Sequence, residues 1–155
     1  MQQNKILENG NFYYSEWLVS DSYPEIAKEM VLSDYEKQII KLQVESIEQP
    51  LRNRFGIARI LSGKRSVELN KKVGGAYRSD HISCNATDVV YLEVEDQMEV
   101  FKYIVANDMP YRQVILYTGS KVPFIHKSIN IPGRDYKKEA LINTGDEYIL
   151  YQRER

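Results

Sequence analysis

Two histidines and one aspartate are the side chains of this chain whose types and spacing could hold a metal ion. His81 and Asp88 have six residues between them, and the other histidine, His126, lies in a segment of alternating apolar and polar residues that is typical of a strand. Zinc accepts imidazole nitrogens and carboxylate oxygens, and a catalytic zinc site needs three protein ligands and one open position. The spacing predicts either such a site or a turn-capping His81 with His126 in the core.

The composition excludes some classes of partner. A chain of 155 residues fits one domain, and its 21 basic and 22 acidic residues give a net charge of -1. No global field would therefore draw the protein to nucleic acid or to an anionic membrane. A basic cluster lies near the candidate site, at Lys64, Arg65, Lys71, Lys72 and Arg78, but aromatic residues are not interleaved with it. It suits an anionic peptide or glycan better, so we predict no nucleic-acid partner.

The cysteine count and the hydropathy pattern add two further expectations. Cys84 is the single cysteine, which excludes an internal disulfide, and we interpret it as a small buried hydrophobic residue rather than a ligand. Residues 1–10 lack the apolar core of a signal peptide, and no segment approaches the roughly 18 apolar residues of a membrane span. The sequence therefore predicts neither a signal peptide nor a membrane span.

Helices and strands in mixed order must position these residues. Ser33 and Glu36 form a capping box that predicts an amphipathic helix over residues 34–55, which Pro50 kinks or divides. Further helices are predicted over residues 66–73 and 95–107, and strands over residues 57–62, 89–92, 114–117, 124–129 and 147–152. This order predicts an α+β fold with a small antiparallel sheet and flanking helices. We assign residues 1–11 to a flexible arm, 12–132 to the domain, and 133–155 to an extension that forms an edge strand or a partner contact.

Several segments together resemble the zinc D,D-peptidases, a family of the peptidase M15 type within the Hedgehog/DD-peptidase superfamily. The resemblance rests on residues 61–66 (Leu-Ser-Gly-Lys-Arg-Ser), 68–70 (Glu-Leu-Asn), 73–75 (Val-Gly-Gly), 79–81 (Ser-Asp-His) and 86–89 (Ala-Thr-Asp-Val). Flanking matches lie at residues 49–52, 109–115 and 125–128, so it covers roughly residues 12–130. The chain is similar to the branch found in phage endolysins and small bacterial cell-wall carboxypeptidases.

The resemblance implies a Hedgehog/DD-peptidase-like fold and a zinc metallopeptidase that cuts peptidoglycan stem peptides or cross-links. His81, Asp88 and His126 match the zinc ligands of the family. Arg65 matches an arginine that faces the substrate and stabilises charge on the carbonyl oxygen, and the alternative for it is a plain ion-pairing arginine. Ser79 matches a serine at the rim of the site, where it would contact the substrate.

The carboxylate that the family uses as general base and proton donor is missing from its expected positions. Tyr117 and Pro123 stand there, and Arg112 replaces an aspartate of the family pattern. Between Asp108 and Asp135 the chain has no carboxylate. In addition, a cysteine, Cys84, replaces the usual glycine between two of the ligands, where its side chain could crowd the turn.

Two hypotheses follow from this pattern. In the first, the chain is a working peptidase in which Tyr117, Asp80 or Asp108 replaces the base; a tyrosine is a poor base because its ordinary pKa is about 10, but its phenol can donate to an oxyanion. In the second, the domain keeps the metal scaffold without catalysis, as a binding or structural component of a phage particle. The absence of a predicted signal peptide agrees with a phage lysis protein and with a particle component alike.

Overall fold

A six-stranded mixed sheet forms the centre of the fold in the computed structural model, which describes residues 4–152. The strands are β1 (Ala58–Ser62), β2 (Ala86–Tyr91), β3 (Gln113–Tyr117), β4 (Phe124–Ser128), β5 (Glu139–Asn143) and β6 (Tyr148–Leu150), in the order β1-β2-β4-β3-β5-β6. The helices are α1 (Pro24–Glu29), α2 (Asp34–Gln43), α3 (Gln49–Phe55), α4 (Val67–Lys72) and α5 (Gln97–Ala106). The predicted α+β class is confirmed. No helix within the described residues is long and apolar enough to cross a membrane.

The sheet differs from the prediction in one pair of strands. Neighbours are antiparallel except β3 and β5, which run parallel with Gln113 opposite Glu139. The sequence prediction missed β5 because its five residues carry only three apolar side chains between polar ones. Residues 129–138 carry the chain from β4 past the start of β3, so that the next strand runs in the direction of β3. The predicted antiparallel pairing therefore does not hold between β3 and β5.

The predicted long helix forms, but not as one regular α-helix. Its capping box is present, since the Ser33 hydroxyl accepts from the Glu36 amide and the Glu36 carboxylate accepts from the Ser33 amide. Between α2 and α3, Val44–Glu48 forms a π-helical turn that ends two residues before Pro50. Proline has no amide hydrogen and its ring excludes the carbonyl four residues earlier, so a widened turn accommodates it without ending the helix.

Both ends of the chain pack against the domain within the described residues. Residues 4–11 do not form a free arm, because Ile6 is 6% exposed in the core beside Phe12 and Lys5 makes a β-bridge with Tyr13. Residues 1–3 lie outside the described residues, as do residues 153–155. At the other end, β6 lies at the edge of the sheet and pairs with β5 through Ile142 and Ile149.

A buried ion pair joins the π-helical turn to the sheet. Lys127 of β4 and Glu48 of the turn are both 0% exposed at the side chain, with Nζ 2.8 Å from Oε2. Glu48 also accepts from the Thr87 hydroxyl at 2.8 Å and from the Gln43 amide at 3.1 Å, while Lys127 donates to the Tyr91 hydroxyl. Thr87 and Lys127 are directly opposite in the β2–β4 pair. This network therefore fixes the helix against the two strands on the core side of the sheet.

Breaking this pair from one side should destabilise the protein strongly. Lys127→Met leaves the Glu48 carboxylate buried without its cation, and we expect the free energy of unfolding to fall by about 3–5 kcal/mol. Adding Glu48→Leu should recover most of that loss, because the buried charge is then removed. Urea unfolding measures both. In the matched control, Lys41→Met breaks the exposed Lys41–Glu45 pair, 3.9 Å long, and should cost less than about 1 kcal/mol. If Lys127→Met and Lys41→Met lowered the free energy of unfolding by the same amount, the buried network would not stabilise the fold as we infer.

Candidate metal centre

Three buried side chains converge on the face of the sheet opposite the Lys127 network. Asp88 of β2 and His126 of β4 are directly opposite each other in antiparallel register, so both side chains project to the same face. His81 comes from the turn before β2. One donor atom from each of the three residues lies within 4.8 Å of the other two, so the group could hold a metal ion.

The distances within this triad suit a tetrahedral cation. Asp88 Oδ2 lies 3.3 Å from His81 Nε2, and Asp88 Oδ1 lies 2.9 Å from His126 Nδ1. Two ligand atoms at about 2.0–2.2 Å from a tetrahedral zinc ion are about 3.3–3.6 Å apart. The first distance falls in that range and the second, to the other oxygen of the carboxylate, is a few tenths of an ångström shorter.

The position of His81 is set by a backbone carbonyl. Its Nδ1 lies 2.7 Å from the Gly63 oxygen, which requires Nδ1 to carry the proton and leaves Nε2 with a free lone pair. Nε2 is buried and, within the described residues, makes no hydrogen bond. An orphaned, correctly oriented imidazole nitrogen of this kind is typical of a metal ligand, whose other ring nitrogen donates to a carbonyl or carboxylate.

Gly63 itself is held tightly. A Cβ atom at this position would lie 2.6 Å from the Cα of Trp17, a residue that is fully buried in the core. Only glycine therefore allows the chain to approach Trp17 closely enough, and this approach fixes the carbonyl that orients His81. Sequence reasoning quoted Gly63 within a motif but did not assign it this role.

The Asp88 carboxylate is ionised despite its burial. Desolvation by burial raises the pKa of Asp88. His81 and His126, which lie close to its oxygens, lower this pKa by more than burial raises it, so the net pKa is well below the ordinary range of an aspartate. A guanidinium nitrogen of Arg65 also lies 3.4 Å from Oδ2. The triad thus provides one carboxylate and two imidazole groups, a donor set that zinc accepts.

Arg65 has contacts that agree with both interpretations of its sequence position. It is ion-paired with Asp88, and its side chain also lines the cleft above the triad. Asn70 Oδ1 lies 3.4 Å from its other terminal nitrogen, and a Cβ atom at Gly75 would come within 2.1 Å of that same oxygen. The Val-Gly-Gly segment therefore leaves space for the Arg65–Asn70 contact.

Ser79 and Cys84 flank His81 but have different surroundings. The Ser79 hydroxyl accepts from the His81 amide at 3.2 Å and the residue lines the cleft. Cys84 adopts a φ of 61°, in the region that glycine enters without strain, which fits the glycine of the family pattern. Its thiol lies 3.1 Å from Glu36 Oε2, and Glu36 belongs to α2. The Cys84 side chain therefore forms a hydrogen bond with α2 and points away from the triad.

Tyr117 is not suited to act as a general base. Its ring stacks on Phe124 at a centroid distance of 4.6 Å, and its hydroxyl lies 3.3 Å from that of Tyr148. Burial raises the pKa of Tyr117 well above its ordinary value, and the hydrogen bond with Tyr148 raises it further. The phenol stays protonated near neutral pH, so the chemistry open to it is hydrogen-bond donation into the cleft.

The two carboxylates named as replacements for the base are also engaged. Asp80 is buried between two arginines, with Oδ2 2.8 Å from Arg112 and Oδ1 3.0 Å from Arg134. Asp108 follows α5, is 78% exposed at the side chain, and pairs with Lys138 at 3.2 Å. Asp108 does not line the cleft. Arg112, which replaces an aspartate of the family pattern, therefore holds Asp80 in an ion pair.

The cleft over the triad includes a cavity of about 580 Å³. Two carboxylates line it among the described residues, Asp88 of the triad and the ion-paired Asp80. Five cationic residues also line it, at Arg65, Arg78, Arg112, Arg134 and Lys137. The cavity is therefore positively charged and of a size that accommodates a short peptide.

Comparison with known proteins agrees with this geometry. The family model for peptidase M15 matches residues 23–126, more than half of the chain, and the match includes all three residues of the triad. Comparison with curated proteins found no match. M15 peptidases are zinc enzymes, and the buried His-Asp-His group is a donor set that could hold such an ion. The chain belongs to the peptidase M15 family and forms a zinc D,D-peptidase-like domain.

Proposed function

We propose that this chain binds zinc and hydrolyses peptide bonds of peptidoglycan, in the stem peptides or their cross-links. The observation that carries the proposal is the buried His-Asp-His group at the floor of a positively charged cleft. His81 Nε2, the Asp88 carboxylate and His126 Nδ1 would hold the metal. When bound, zinc supplies Lewis acidity, which polarises a carbonyl group and lowers the pKa of water.

The remaining roles fall to residues around the triad. Arg65 lines the cleft next to Asp88, where its permanent charge can stabilise negative charge on the substrate carbonyl oxygen. Ser79 borders the cleft and contacts the peptide, and Tyr117 donates a hydrogen bond from its protonated phenol. Arg78 and Lys137 are exposed at the cleft, where they attract the carboxylates of stem peptides.

Proton transfer is the weak step of this arrangement. A positioned general base contributes on the order of 10²–10⁴-fold in rate, and the carboxylates in the 580 Å³ cavity are a metal ligand and an ion-paired Asp80. Asp21 lines an adjoining cavity, is 77% exposed at the side chain, and lies 3.8 Å from Arg59. Among the carboxylates that line the two cavities, Asp21 has the longest ion pair. We therefore expect slow turnover. If turnover is found, Asp21 is the first residue to substitute in the search for the general base.

The second candidate function is a binding domain that keeps the metal scaffold without hydrolysis, such as a structural component of a phage particle. The ion pairs of Asp80 with Arg112 and Arg134 favour this candidate. Asp80 is the residue next to His81, and two arginines compensate the negative charge of its carboxylate, so it is not free to act as a base. Both candidates share zinc binding and peptide binding, and they differ in turnover.

The zinc assignment makes a direct prediction. The purified protein should carry about one zinc ion per chain, and His81→Ala or His126→Ala should each lose it, because two ligands hold zinc much more weakly than three. Elemental analysis after dialysis measures the ratio. Asp108→Asn, which changes an exposed carboxylate outside the cleft, should retain the metal. Retention of zinc by both histidine variants would exclude the proposed ligand set.

A carboxylate introduced at Tyr117 tests whether the base alone is missing. Tyr117→Glu should raise the rate of stem-peptide hydrolysis, by up to about 10²-fold, because a carboxylate has an ordinary pKa suited to accept the proton. Thr118→Glu is the matched control, since this neighbour is exposed and does not line the cleft. If both variants hydrolyse at the wild-type rate, the missing base is not what limits the reaction.

Digestion of peptidoglycan separates the two candidate functions. Zinc-loaded protein should release stem-peptide products from isolated cell walls, and chelation followed by dialysis should abolish the release. Mass spectrometry identifies the products and hence the bond. Zinc binding with wall binding but without products would select the non-catalytic candidate. Absence of both zinc and wall binding would contradict the two candidates together.

A further inference from the structure

A buried cluster of charged side chains lies next to His81. Asp80 directly precedes His81, and its Oδ2 lies 2.8 Å from a guanidinium nitrogen of Arg112, with both side chains almost fully buried. The other oxygen, Oδ1, lies 3.0 Å from Nε of Arg134. Buried ion pairs are weak evidence for a gain in stability, because the desolvation of the two charges offsets much of their attraction. The segments that this cluster joins indicate its role better.

Arg112 is fixed to the strand that carries His126. Its amide donates to the Ser128 carbonyl at 2.7 Å, and its own carbonyl accepts from the Glu139 amide at 3.0 Å. Ser128 is the last residue of β4 and lies two positions after His126. Arg112 itself directly precedes β3. The backbone position of Arg112 is therefore defined relative to β4.

Asp80 belongs to the turn that carries His81. The Asp80 carbonyl accepts from the Asn85 amide at 3.2 Å, which closes the turn around His81. The hydrogen bond of the His81 ring leads to Gly63, directly after the edge strand β1. The Asp80–Arg112 pair leads the other way across the sheet, to β3 and β4. The start of the turn is therefore held both from β1 and from β4.

The charges of the cluster balance each other. Arg112 also pairs with the exposed Asp135, at a nitrogen–oxygen distance of 3.1 Å, so two arginines stand against two aspartates. A net charge near the triad would change the binding of a cation through its electric field alone. Because this cluster is neutral as a whole, we expect it to affect the triad through position rather than through charge.

The separation of the two histidine rings suits a shared zinc ion. The ring centroids of His81 and His126 are 5.1 Å apart, and the ring planes are inclined by 58°. Two imidazoles that bind one tetrahedral zinc ion at about 2.0–2.1 Å have centroids about 5 Å apart. A shift of the turn relative to β4 would change this separation.

We propose that Arg112 is a positioning residue of the metal site, which acts through Asp80 to hold His81 at the distance from His126 that a shared zinc ion needs. Arg134 supports the second oxygen of Asp80. This inference rests on the proposed zinc binding, since it concerns the ligands of the same site. It also gives Asp80 a role other than that of a general base.

The test measures the zinc affinity of the full chain by competition with a chromogenic chelator. Arg112→Met and Asp80→Asn each break the pair. Asp135→Asn is the matched control, because it changes the charge of the cluster by as much as Asp80→Asn but removes only the exposed partner of Arg112. Circular dichroism checks folding, and Asp80→Asn, which keeps the volume of the side chain, decides the question if Arg112→Met does not fold. X-ray absorption at the zinc edge counts the imidazole ligands.

We expect Arg112→Met and Asp80→Asn each to weaken zinc binding by about 10–100-fold, as the loss of a group that orients a ligand typically does. The average number of imidazole ligands should fall below two. Asp135→Asn should bind zinc as the wild type does. The double variant of Asp80 and Arg112 should bind no more weakly than the weaker single variant, because one residue acts through the other. Arg112→Lys should recover part of the affinity that Arg112→Met loses, since an ammonium group can still pair with Asp80.

Two results would overturn the inference while the proposed function stands. In the first, Arg112→Met and Asp80→Asn bind zinc as tightly as the wild type, or their losses add in the double variant. In the second, Asp135→Asn loses as much affinity as Asp80→Asn, which would assign the effect to charge rather than to position. If the wild type binds no zinc, the proposed function and this inference are overturned together.

Discussion

The register between β2 and β4 is the constraint on which the rest of the structure depends. Thr87 and Lys127 are opposite each other on the core side, and Asp88 and His126 are opposite each other on the cleft side. Successive residues of a strand face opposite sides, so a slip of β4 by one residue would exchange the sides that Lys127 and His126 face. The Lys127 ammonium group would then face the cleft and His126 would face the core, away from Asp88. The buried Glu48, fixed in the π-helical turn, makes that exchange costly because its charge would lose its partner.

The position of His81, the third residue of the triad, depends on a separate chain of contacts. His81 is oriented by the Gly63 carbonyl, Gly63 is pressed against Trp17, and Trp17 lies fully buried in the core. The amide of Arg65 in turn donates to the His81 carbonyl at 3.0 Å. The turn that carries His81 is thus fixed through backbone groups, which requires glycine at position 63. Two independent supports, one in the sheet and one in the turn, therefore meet at Asp88.

Much of this arrangement was accessible from the sequence, because the signals are local. Ser33 with Glu36 predicted a helix start, and the spacing of His81, Asp88 and His126 within a familiar motif order predicted a ligand group that the structure brings together. What the sequence did not reveal depends on contacts between distant residues. The pairing of Lys127 with Glu48, the arginines around Asp80 and the docking of Ile6 in the core each join segments that are far apart in the chain, and no local pattern predicts them.

Cys84 carries a consequence for the redox behaviour of the protein. It is the only cysteine, its side chain is fully buried, and burial together with the neighbouring Glu36 raises the pKa of its thiol. The thiolate is the form that oxidants and other thiols attack, and here it is scarce and out of reach. The folded domain therefore resists sulfenic acid formation and intermolecular disulfide formation, and its cysteine chemistry is the same in reducing and oxidising surroundings. A left-handed backbone position that the family pattern gives to glycine has thus accepted a thiol without adding a reactive group beside the His-Asp-His triad.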